Sequence, residues 1–557
     1  MRKNDPFVDF SDIIIRGCTV HLPLNLNGML FANLTNDGQF LHISGDPIDI
    51  DRVRATFIKK INSWYIIKKK NENAKVDEHF MSQFGLVPTG LWAELINACN
   101  IFGIGLQFCD DFVYRTRDLT ITEESFKRYV NKLFEKSEIT PKQYQIDGVF
   151  NMLSYKNCCV EISTSGGKTL MSYILFRYMK DVVGLKHILF VTPKTNLTTQ
   201  SADKFIKYDA ENGLTTDWSY GEIHADAKKQ ERYDENIVFG NYQSVCRKPS
   251  EFFDVFDAVI MDECHHSQCN SCRTIISKCK NVKYKIGMTG TFPAEGSYNN
   301  FVLQTYLGPV VYRLSSYELI NEEKFATPVH VNMIGLRYLD ESKLKPLYEV
   351  RCVDKKDEPT IGGKIMNKEK DLMRRSDLRF RYICDMISKV TKNTLVLFSD
   401  IQNDYGRRIY NFLKDNTMKQ VFYIDGETST KLRNNMIASM EADSSENTII
   451  VASTQCFSEG IDIANMWNIF LVESTKSEHT LAQILGRGMR RYEGKDKTMM
   501  IDFVDDFRYG EGDKKNNYLW KHGMERMSIY TKRGFPCKIY NVDLINKDKY
   551  SKSVALF

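Results

Sequence analysis

Two short stretches of this chain hold residues whose types and spacing could do chemistry. The first, Ser163-Thr164-Ser165-Gly166-Gly167-Lys168-Thr169, follows the apolar run Cys158-Cys159-Val160-Glu161-Ile162. It precedes a stretch with Leu170, Ile174, Leu175 and Tyr178 on one helical face. Strand, loop and helix in that order form a phosphate-binding loop. Small residues at Ser165, Gly166 and Gly167 let backbone N–H groups curl around a phosphate at the positive end of the helix. Lys168 would reach the β and γ phosphates, and the Thr169 hydroxyl would bind Mg²⁺. The second stretch, Asp262-Glu263-Cys264-His265, ends the apolar run Asp257-Ala258-Val259-Ile260-Met261. Asp262 offers a carboxylate for the metal, and Glu263 offers one for the attacking water. Together they predict hydrolysis of a nucleoside triphosphate.

Each stretch alone has a plainer reading. Ile162 stands where the first Gly of G-x-x-x-x-G-K-[ST] belongs, so the loop could be a simple Gly turn. Acidic pairs usually sit on solvated loops. The joint order outweighs both, because strand, loop, helix, strand and acidic pair is what an α/β nucleotide-binding sheet requires.

A third cluster lies in Gln483-Ile484-Leu485-Gly486-Arg487-Gly488-Met489-Arg490-Arg491. Its Q-x-x-G-R-x-x-R spacing puts Gln483, Arg487 and Arg490 within about two helical turns. Two guanidiniums there could fork onto phosphate oxygens and oppose the charge that develops on a γ phosphate. A solvated basic helix is the default for an Arg pair. Against it stands the loop Ser453 to Asp462, polar and Gly-containing, directly after a buried strand, where α/β sheets bind ligands.

The elements that must position these residues are legible as alternating strands and helices. In a first unit the strands are Ile188 to Thr192, Ile237 to Gly240, Ala258 to Asp262 and Tyr284 to Met288. After a stretch near Arg313 to Thr327 the pattern resumes with Thr394 to Ser399, Val421 to Ile424, Thr448 to Ala452, Trp467 to Val472 and Met499 to Val504. Two successive parallel sheets covered by helices follow from this. Ahead of them lies a mixed strand and helix region ending in the charged amphipathic segment Glu123 to Lys136, and behind them a basic tail patterned mostly as helix. The expected domains are 1–137, 138–320, 321–506 and 507–557.

At 557 residues the chain exceeds one core, which agrees with several domains. Apolar content of 42% and charged content of 26% describe an ordinary soluble protein. No apolar run approaches a bilayer span, and the start leads into no signal-peptide core, so a cytoplasmic protein is expected, in the host cytoplasm if phage-encoded. Fourteen scattered cysteines suggest reduced thiols. A net charge of +5 is only mildly basic, so nucleic-acid contacts must be sought in local clusters.

The ordered motifs resemble those of superfamily 2 helicases and translocases. They are Tyr144-Gln145, the phosphate loop, Thr192-Pro193-Lys194-Thr195, Gly240-Asn241-Tyr242-Gln243-Ser244, Asp262 to His265, Thr289-Gly290-Thr291, Glu459-Gly460-Ile461-Asp462 and Gln483 to Arg490. Ahead of these motifs Gln83-Phe84-Gly85-Leu86-Val87 and Cys99 to Gly103, and behind them Asp502 to Asp506 and Trp520 to Gly523, resemble the recombination helicases of T-even phages. The resemblance implies an α/β fold of two tandem RecA-like parallel-sheet domains, with a small α+β N-terminal accessory domain and a short helical C-terminal extension. It implies ATP as fuel, with Gln145 reading the adenine edge and Gly460 and Asp462 approaching the nucleotide from the second domain. Asp262 would hold Mg²⁺ through water. His265 with Thr289, Gly290 and Thr291 would couple hydrolysis to domain motion, and Arg487 and Arg490 would be fingers on the γ phosphate. Departures are modest: Ser163 for a common Pro, Ser165 for a common Gly, and Thr289-Gly290-Thr291 for Ser-Ala-Thr.

The same motifs imply a nucleic-acid track at Pro193, Lys194, Thr195, Asn241, Gln243 and Thr454, held through phosphates and therefore tolerant of sequence. Ser, Thr and Asn at strand ends more often serve turns. A second candidate surface is Lys59-Lys60-Ile61-Asn62-Ser63-Trp64-Tyr65-Ile66-Ile67-Lys68-Lys69-Lys70, a cluster of cations and aromatics. There Lys59, Lys60, Trp64, Lys68, Lys69 and Lys70 either meet a duplex backbone or form a strand pair whose lysines face water. Cys264, His265, His266, Cys269, Cys272 and Cys279 mimic metal-ligand spacing, but no second C-x-x-C completes a zinc site, and structural thiols are the simpler reading. The partner implied is branched or single-stranded DNA, including RNA–DNA hybrids, with replication or recombination proteins beside it and no membrane. The rival functions are a motor subunit of a restriction or nuclease complex and an annealing factor with a vestigial ATPase.

Overall fold

The computed structural model describes residues 14–15, 18–21, 26–62, 75–118, 120–193, 195–214, 218–224, 235–265, 270–339, 344, 358–399, 404–442, 447–458, 463–473, 475, 477–508, 517–546 and 549–550. Two compact units divide the chain. The first runs to Leu314 apart from the loop residues Ser163–Gly166, which group with the second, and the second continues from Ser315.

The first unit is built on a seven-stranded sheet. Its order is Tyr220–Ile223, Ile237–Asn241, Ile188–Thr192, Ala258–Asp262, Tyr284–Thr289, Asn157–Ile162 and Val310–Leu314. Every pairing in it is parallel. Parallel strands need helical crossovers on both faces, so their residues are apolar throughout rather than alternating. Ile188–Thr192 and Ile237–Asn241 are buried at every position. On one face Leu189, Val191, Val238, Val259 and Met261 pack with Cys159, Cys264, Cys272 and Cys279 in a continuous apolar core. The thiols that mimic a metal site therefore lie among hydrocarbon: Cys264, Cys272 and Cys279 are fully buried there. His266 and Cys269 lie outside the described residues.

The N-terminal region packs within this same unit. Its six-stranded mixed sheet runs Ile14–Ile15, Cys18–His21, Ile104–Phe108, Gly28–Leu34, Phe40–Gly45 and Leu86–Pro88. The Pro47–Thr56 and Trp92–Phe102 helices accompany it. Phe57 and Phe80 meet Phe301 edge-on at 5.6 and 5.3 Å, and Trp92 stacks on Tyr155 at 6.2 Å. Aromatic contacts of this kind contribute about 0.5–1.5 kcal/mol each beyond burial.

The second unit holds an eight-stranded sheet. Its order is Gln420–Ile424, Thr448–Ser453, Thr394–Phe398, Asn468–Leu471, Thr498–Asp506, Val329–Tyr338, Cys537–Asn546 and Lys549–Tyr550. All pairings are parallel except the last. The C-terminal extension differs from a purely helical one. The Tyr518–Lys532 helix is followed by the strand Cys537–Asn546, in register beside Val329–Tyr338. Period-two burial of Val542 and Leu544 with Asn541 exposed makes that segment a strand. Arg526 forks onto Asp502 at 2.8 Å through two nitrogens, and the Tyr530 hydroxyl donates to the same carboxylate at 2.9 Å. This buried cluster ties the helix to the sheet. Among the described residues no helix is long and apolar enough to cross a membrane.

Candidate active site

The phosphate loop leaves the Asn157–Ile162 strand and enters the Lys168–Asp181 helix. Gly167 caps that helix with φ 79°, and Ser165 has φ 73°. A side chain in the left-handed region costs about 1–2 kcal/mol, so Ser165 carries strain that the usual Gly avoids. At Gly167 a second constraint applies, since a Cβ would lie 2.2 Å from Gln145 Nε2. Gln145 is 2% exposed and its Oε1 accepts the Lys142 N–H at 2.9 Å, so it is locked beside the loop.

Lys168 starts the helix and points to the acidic pair. Its Nζ lies 3.4 Å from Glu263 Oε1. Burial alone would depress the Lys168 ammonium, but the carboxylates of Glu263 and Asp262 outweigh it and hold it above the ordinary lysine range. Asp262 ends the central strand, and burial followed by the neighbouring Glu263 carboxylate pushes it up to about 6. The Tyr242 hydroxyl donates to the Asp262 carbonyl, and Asp262 Oδ1 accepts the Glu263 N–H at 3.0 Å. Glu263 has φ 49°, turning the chain sharply off the strand end.

A hydrogen-bonded relay leaves this pair. His265 Nδ1 stands 3.4 Å from Glu263 Oε2 and 2.8 Å from Thr289 Oγ1. The Thr289 hydroxyl donates to the Thr291 carbonyl at 3.1 Å and accepts the Thr291 N–H at 3.1 Å. The Thr289 hydroxyl thus stands between the His265 ring and the Thr291 backbone. Thr289 is fully buried and Gly290 bridges it to Thr291.

Glu161 extends the relay and was not singled out by motif. It precedes the phosphate loop by two residues; its Oε1 accepts the Phe292 N–H at 3.0 Å, and its Oε2 lies 3.4 Å from Arg313 Nε. It thus links the strand entering the loop to the segment after Thr291. Glu161 interrupts an apolar run, and that interruption was the available signal. Tyr242, inside the Gly240 to Ser244 stretch, gains its role only through the contact with the Asp262 carbonyl.

The remaining candidates divide. Asn241, 7% exposed, donates to the Pro193 carbonyl at 2.9 Å and accepts the Gln243 N–H at 3.0 Å, joining two motif loops at adjacent strand ends. Gln243 is exposed. Thr195 begins the helix Thr195–Glu211. Lys194 lies outside the described residues. In the second unit Thr454 is buried, its hydroxyl donating to the Phe398 carbonyl at 2.6 Å. Gln483 Nε2 lies 3.2 Å from His479 Nε2 on the Glu478–Gly488 helix. Arg487 near the end of that helix is 8% exposed, its guanidinium 4.7 Å from the centre of the Phe457 ring. Arg490 follows the helix, and burial draws it down to about 10. Gly460 and Asp462 lie outside the described residues.

The N-terminal cation cluster is only partly described. Lys59 and Lys60 belong to the strand Ile58–Asn62, paired antiparallel with Lys75–His79. The half-buried Lys59 ammonium sits 4.0 Å from the centre of the Phe301 ring, and burial lowers it. Trp64, Lys68, Lys69 and Lys70 lie outside the described residues.

Thr169 and Asp262 supply hard oxygen donors suited to Mg²⁺, and the raised Asp262 carboxyl is a buried acid that a cation would stabilise in its charged form. The residues fit the metal.

The Gly-Lys-Thr loop, the Asp-Glu-Cys-His strand end and the Gln-Arg-Arg helix, carried on two RecA-like parallel sheets, are similar to the motor core of superfamily 2 helicases. Family models agree: "Type III restriction enzyme, res subunit" matches residues 138–294, and "Helicase conserved C-terminal domain" matches 378–492. The chain is 29% identical over 474 residues to the ATP-dependent DNA helicase UvsW of Enterobacteria phage T4, covering 82% of this chain and 88% of that protein. The crystal structure of T4 UvsW aligns with 24% identity and a TM-score of 0.44 over 93% of this chain and 100% of that one. A fragment assigned to an HsdR subunit of a type I restriction enzyme from Vibrio vulnificus aligns with 17% identity and a TM-score of 0.52, over 85% of this chain and 89% of that one.

Proposed function

We propose that this chain is an ATP-driven DNA helicase that unwinds or remodels branched DNA. Its substrates are forks, recombination intermediates and displaced-strand loops, RNA–DNA hybrids among them, in phage replication, recombination and repair. The observation that carries the reading is the continuous set Lys168, Glu263, His265 and Thr289, in which a phosphate-loop lysine, a general base and a coupling histidine are already in contact. ATP lies with its phosphates on the loop of Ser165, Gly166, Gly167 and Lys168 and its adenine against Gln145. Thr169 and Asp262 hold Mg²⁺, which when bound neutralises charge on the β and γ phosphates.

Lys168 exchanges its Glu263 partner for phosphate, which frees the Glu263 carboxylate to orient water and take its proton. His265 feels that change through Glu263 and passes it to Thr289 and the Thr291 backbone. Gln483, Arg487 and Arg490 act on the γ phosphate from the second sheet, with Gly460 and Asp462 beside them. The strand runs along Pro193, Lys194, Thr195, Asn241, Gln243 and Thr454 through its phosphates. The N-terminal region adds duplex or junction contacts through Lys60, Trp64, Lys68, Lys69 and Lys70. The protein works in the cytoplasm, the host's for a phage chain, alongside replication and recombination proteins.

The likeness of residues 138–294 to a restriction-enzyme subunit favours one second reading, a motor that serves a nuclease partner. The test is ATP hydrolysis and strand separation on forked, four-way, displacement-loop, blunt-duplex and RNA–DNA substrates. Stimulation and unwinding led by branched substrates support the helicase reading. Translocation on linear duplex without strand separation supports the nuclease-motor reading. Absence of nucleic-acid-stimulated hydrolysis defeats both.

A further inference from the structure

Beyond the arginine helix lies a buried lysine that no motif contains. Lys495 is 9% exposed, and its ammonium donates to backbone oxygens: the carbonyls of Gly488 and Arg490 at 3.0 Å each, and that of Ala464 at 3.4 Å. The first two flank Met489, where the chain leaves the Glu478–Gly488 helix and turns into Arg490. Neighbours pin the same three residues. The Thr498 hydroxyl donates to the Gly488 carbonyl at 2.7 Å, the Thr327 N–H to Met489 at 2.8 Å, and the Thr327 hydroxyl to Arg490 at 3.1 Å. The last carbonyls of a helix have no partner within it and carry its partial negative charge, so an ammonium is suited to them.

We propose that Lys495 is a positioning residue for the arginine fingers, its ammonium fixing the backbone from which Arg490 and, one turn earlier, Arg487 are presented. The inference rests on the reading of Arg490 as a finger. An ammonium brings three donors to three carbonyls, whereas a neutral amine brings two. Burial draws Lys495 down to about 7, with the Glu441 carboxylate supporting its charge and the Arg490 guanidinium opposing it. Glu441 is in turn held by the backbone N–H groups of Ala464 and Asn465.

The sign of the pH effect separates positioning from plain stability. Between about 7 and 10.5 the unfolded chain keeps the Lys495 proton and the native chain sheds it, so this group's contribution to stability rises with pH. The third donor disappears as the native group titrates near 7, at the acid end of that window, so turnover through the fingers falls there. Stability and turnover move in opposite directions.

The experiment measures DNA-stimulated ATP turnover of the full chain from about pH 6 to 9, with thermal melts, for the wild type, Lys495→Met, Lys495→Arg, Arg490→Ala and the Arg490→Ala/Lys495→Met double variant. Lys495→Met is expected to lower kcat about tenfold at the acid end, leave KM for ATP within about twofold and lose the pH limb near neutrality. Lys495→Arg, charged throughout, restores kcat and keeps it level to pH 9. The double variant is no slower than Arg490→Ala, because Lys495 acts through that loop. Wild-type kcat with an unchanged limb in Lys495→Met overturns the proposal, as do additive losses in the double variant. Should Lys495→Met not fold, a limb that Lys495→Arg leaves in place overturns it equally. Arg490→Ala at wild-type turnover defeats the finger reading itself, whereas a slow Arg490→Ala beside a fast Lys495→Met defeats only the role of Lys495.

Discussion

Replacing Gly167 with Ala perturbs the phosphate loop in two ways whose sizes follow from its geometry. Gly167 has φ 79°, and an L-residue held there costs about 1–2 kcal/mol. The new Cβ would stand 2.2 Å from Gln145 Nε2, so the amide must move and its Oε1 gives up the Lys142 N–H, now at 2.9 Å. A neutral buried hydrogen bond of that kind contributes about 1 kcal/mol. The combined loss is about 2–3 kcal/mol, divided between native stability and ATP affinity according to how far the empty loop relaxes. If all of it fell on affinity, binding would weaken about 30- to 150-fold. Equilibrium titration with a fluorescent ATP analogue, together with denaturant melts of the empty protein, measures both parts. Adding Gln145→Ala removes the collision but keeps the backbone strain. The double variant should therefore lose no more than Gln145→Ala plus the strain alone. If Gly167→Ala changes stability and affinity together by less than about 0.5 kcal/mol, the close approach of Gln145 and the left-handed cap cannot both be real constraints.

Glu263→Gln should retain ATP and Mg²⁺ binding through Lys168, Thr169 and Asp262 but lower turnover by two or more orders of magnitude, and loss of ATP binding would show that the division between the two carboxylates is wrong. Arg526→Met should cost about 3–5 kcal/mol in a denaturant melt, because Asp502 would remain buried without its fork; a loss below 1 kcal/mol would mean the C-terminal helix docks without that pair. Lys59→Gln should cost about 0.5–1 kcal/mol of stability while leaving the salt dependence of junction binding unchanged, since its ammonium already lies on Phe301; a flattened salt slope would return Lys59 to the DNA surface.

The chemistry and its order along the chain were written in local sequence. A phosphate loop needs Gly and Lys within one turn, and Asp262 and Glu263 need only end a strand, so short spacing announces both. The apolar runs Ile188 to Thr192 and Thr448 to Ala452 matched the strands Ile188–Thr192 and Thr448–Ser453 within a residue, because fully buried parallel strands are apolar on both faces. The Cys537–Asn546 strand was harder to read, since Lys538, Asn541 and Asp543 interrupt its apolar residues and leave it half-exposed, and its pairing with the Val329–Tyr338 strand fixes it as one.

Tertiary structure alone decided which polar side chains meet. Glu161 lies far in sequence from Phe292 and Arg313, as Lys495 does from Ala464, and no spacing rule connects them. It also decided the state of each charge. Lys59 belongs to a run of cations by sequence and to an aromatic ring in the fold, and Lys495 is an ordinary lysine until burial draws its proton loose near neutrality. Residue type and spacing determine what a group can do. The desolvation and the partners that decide what it does arise only when segments far apart in the chain are packed together.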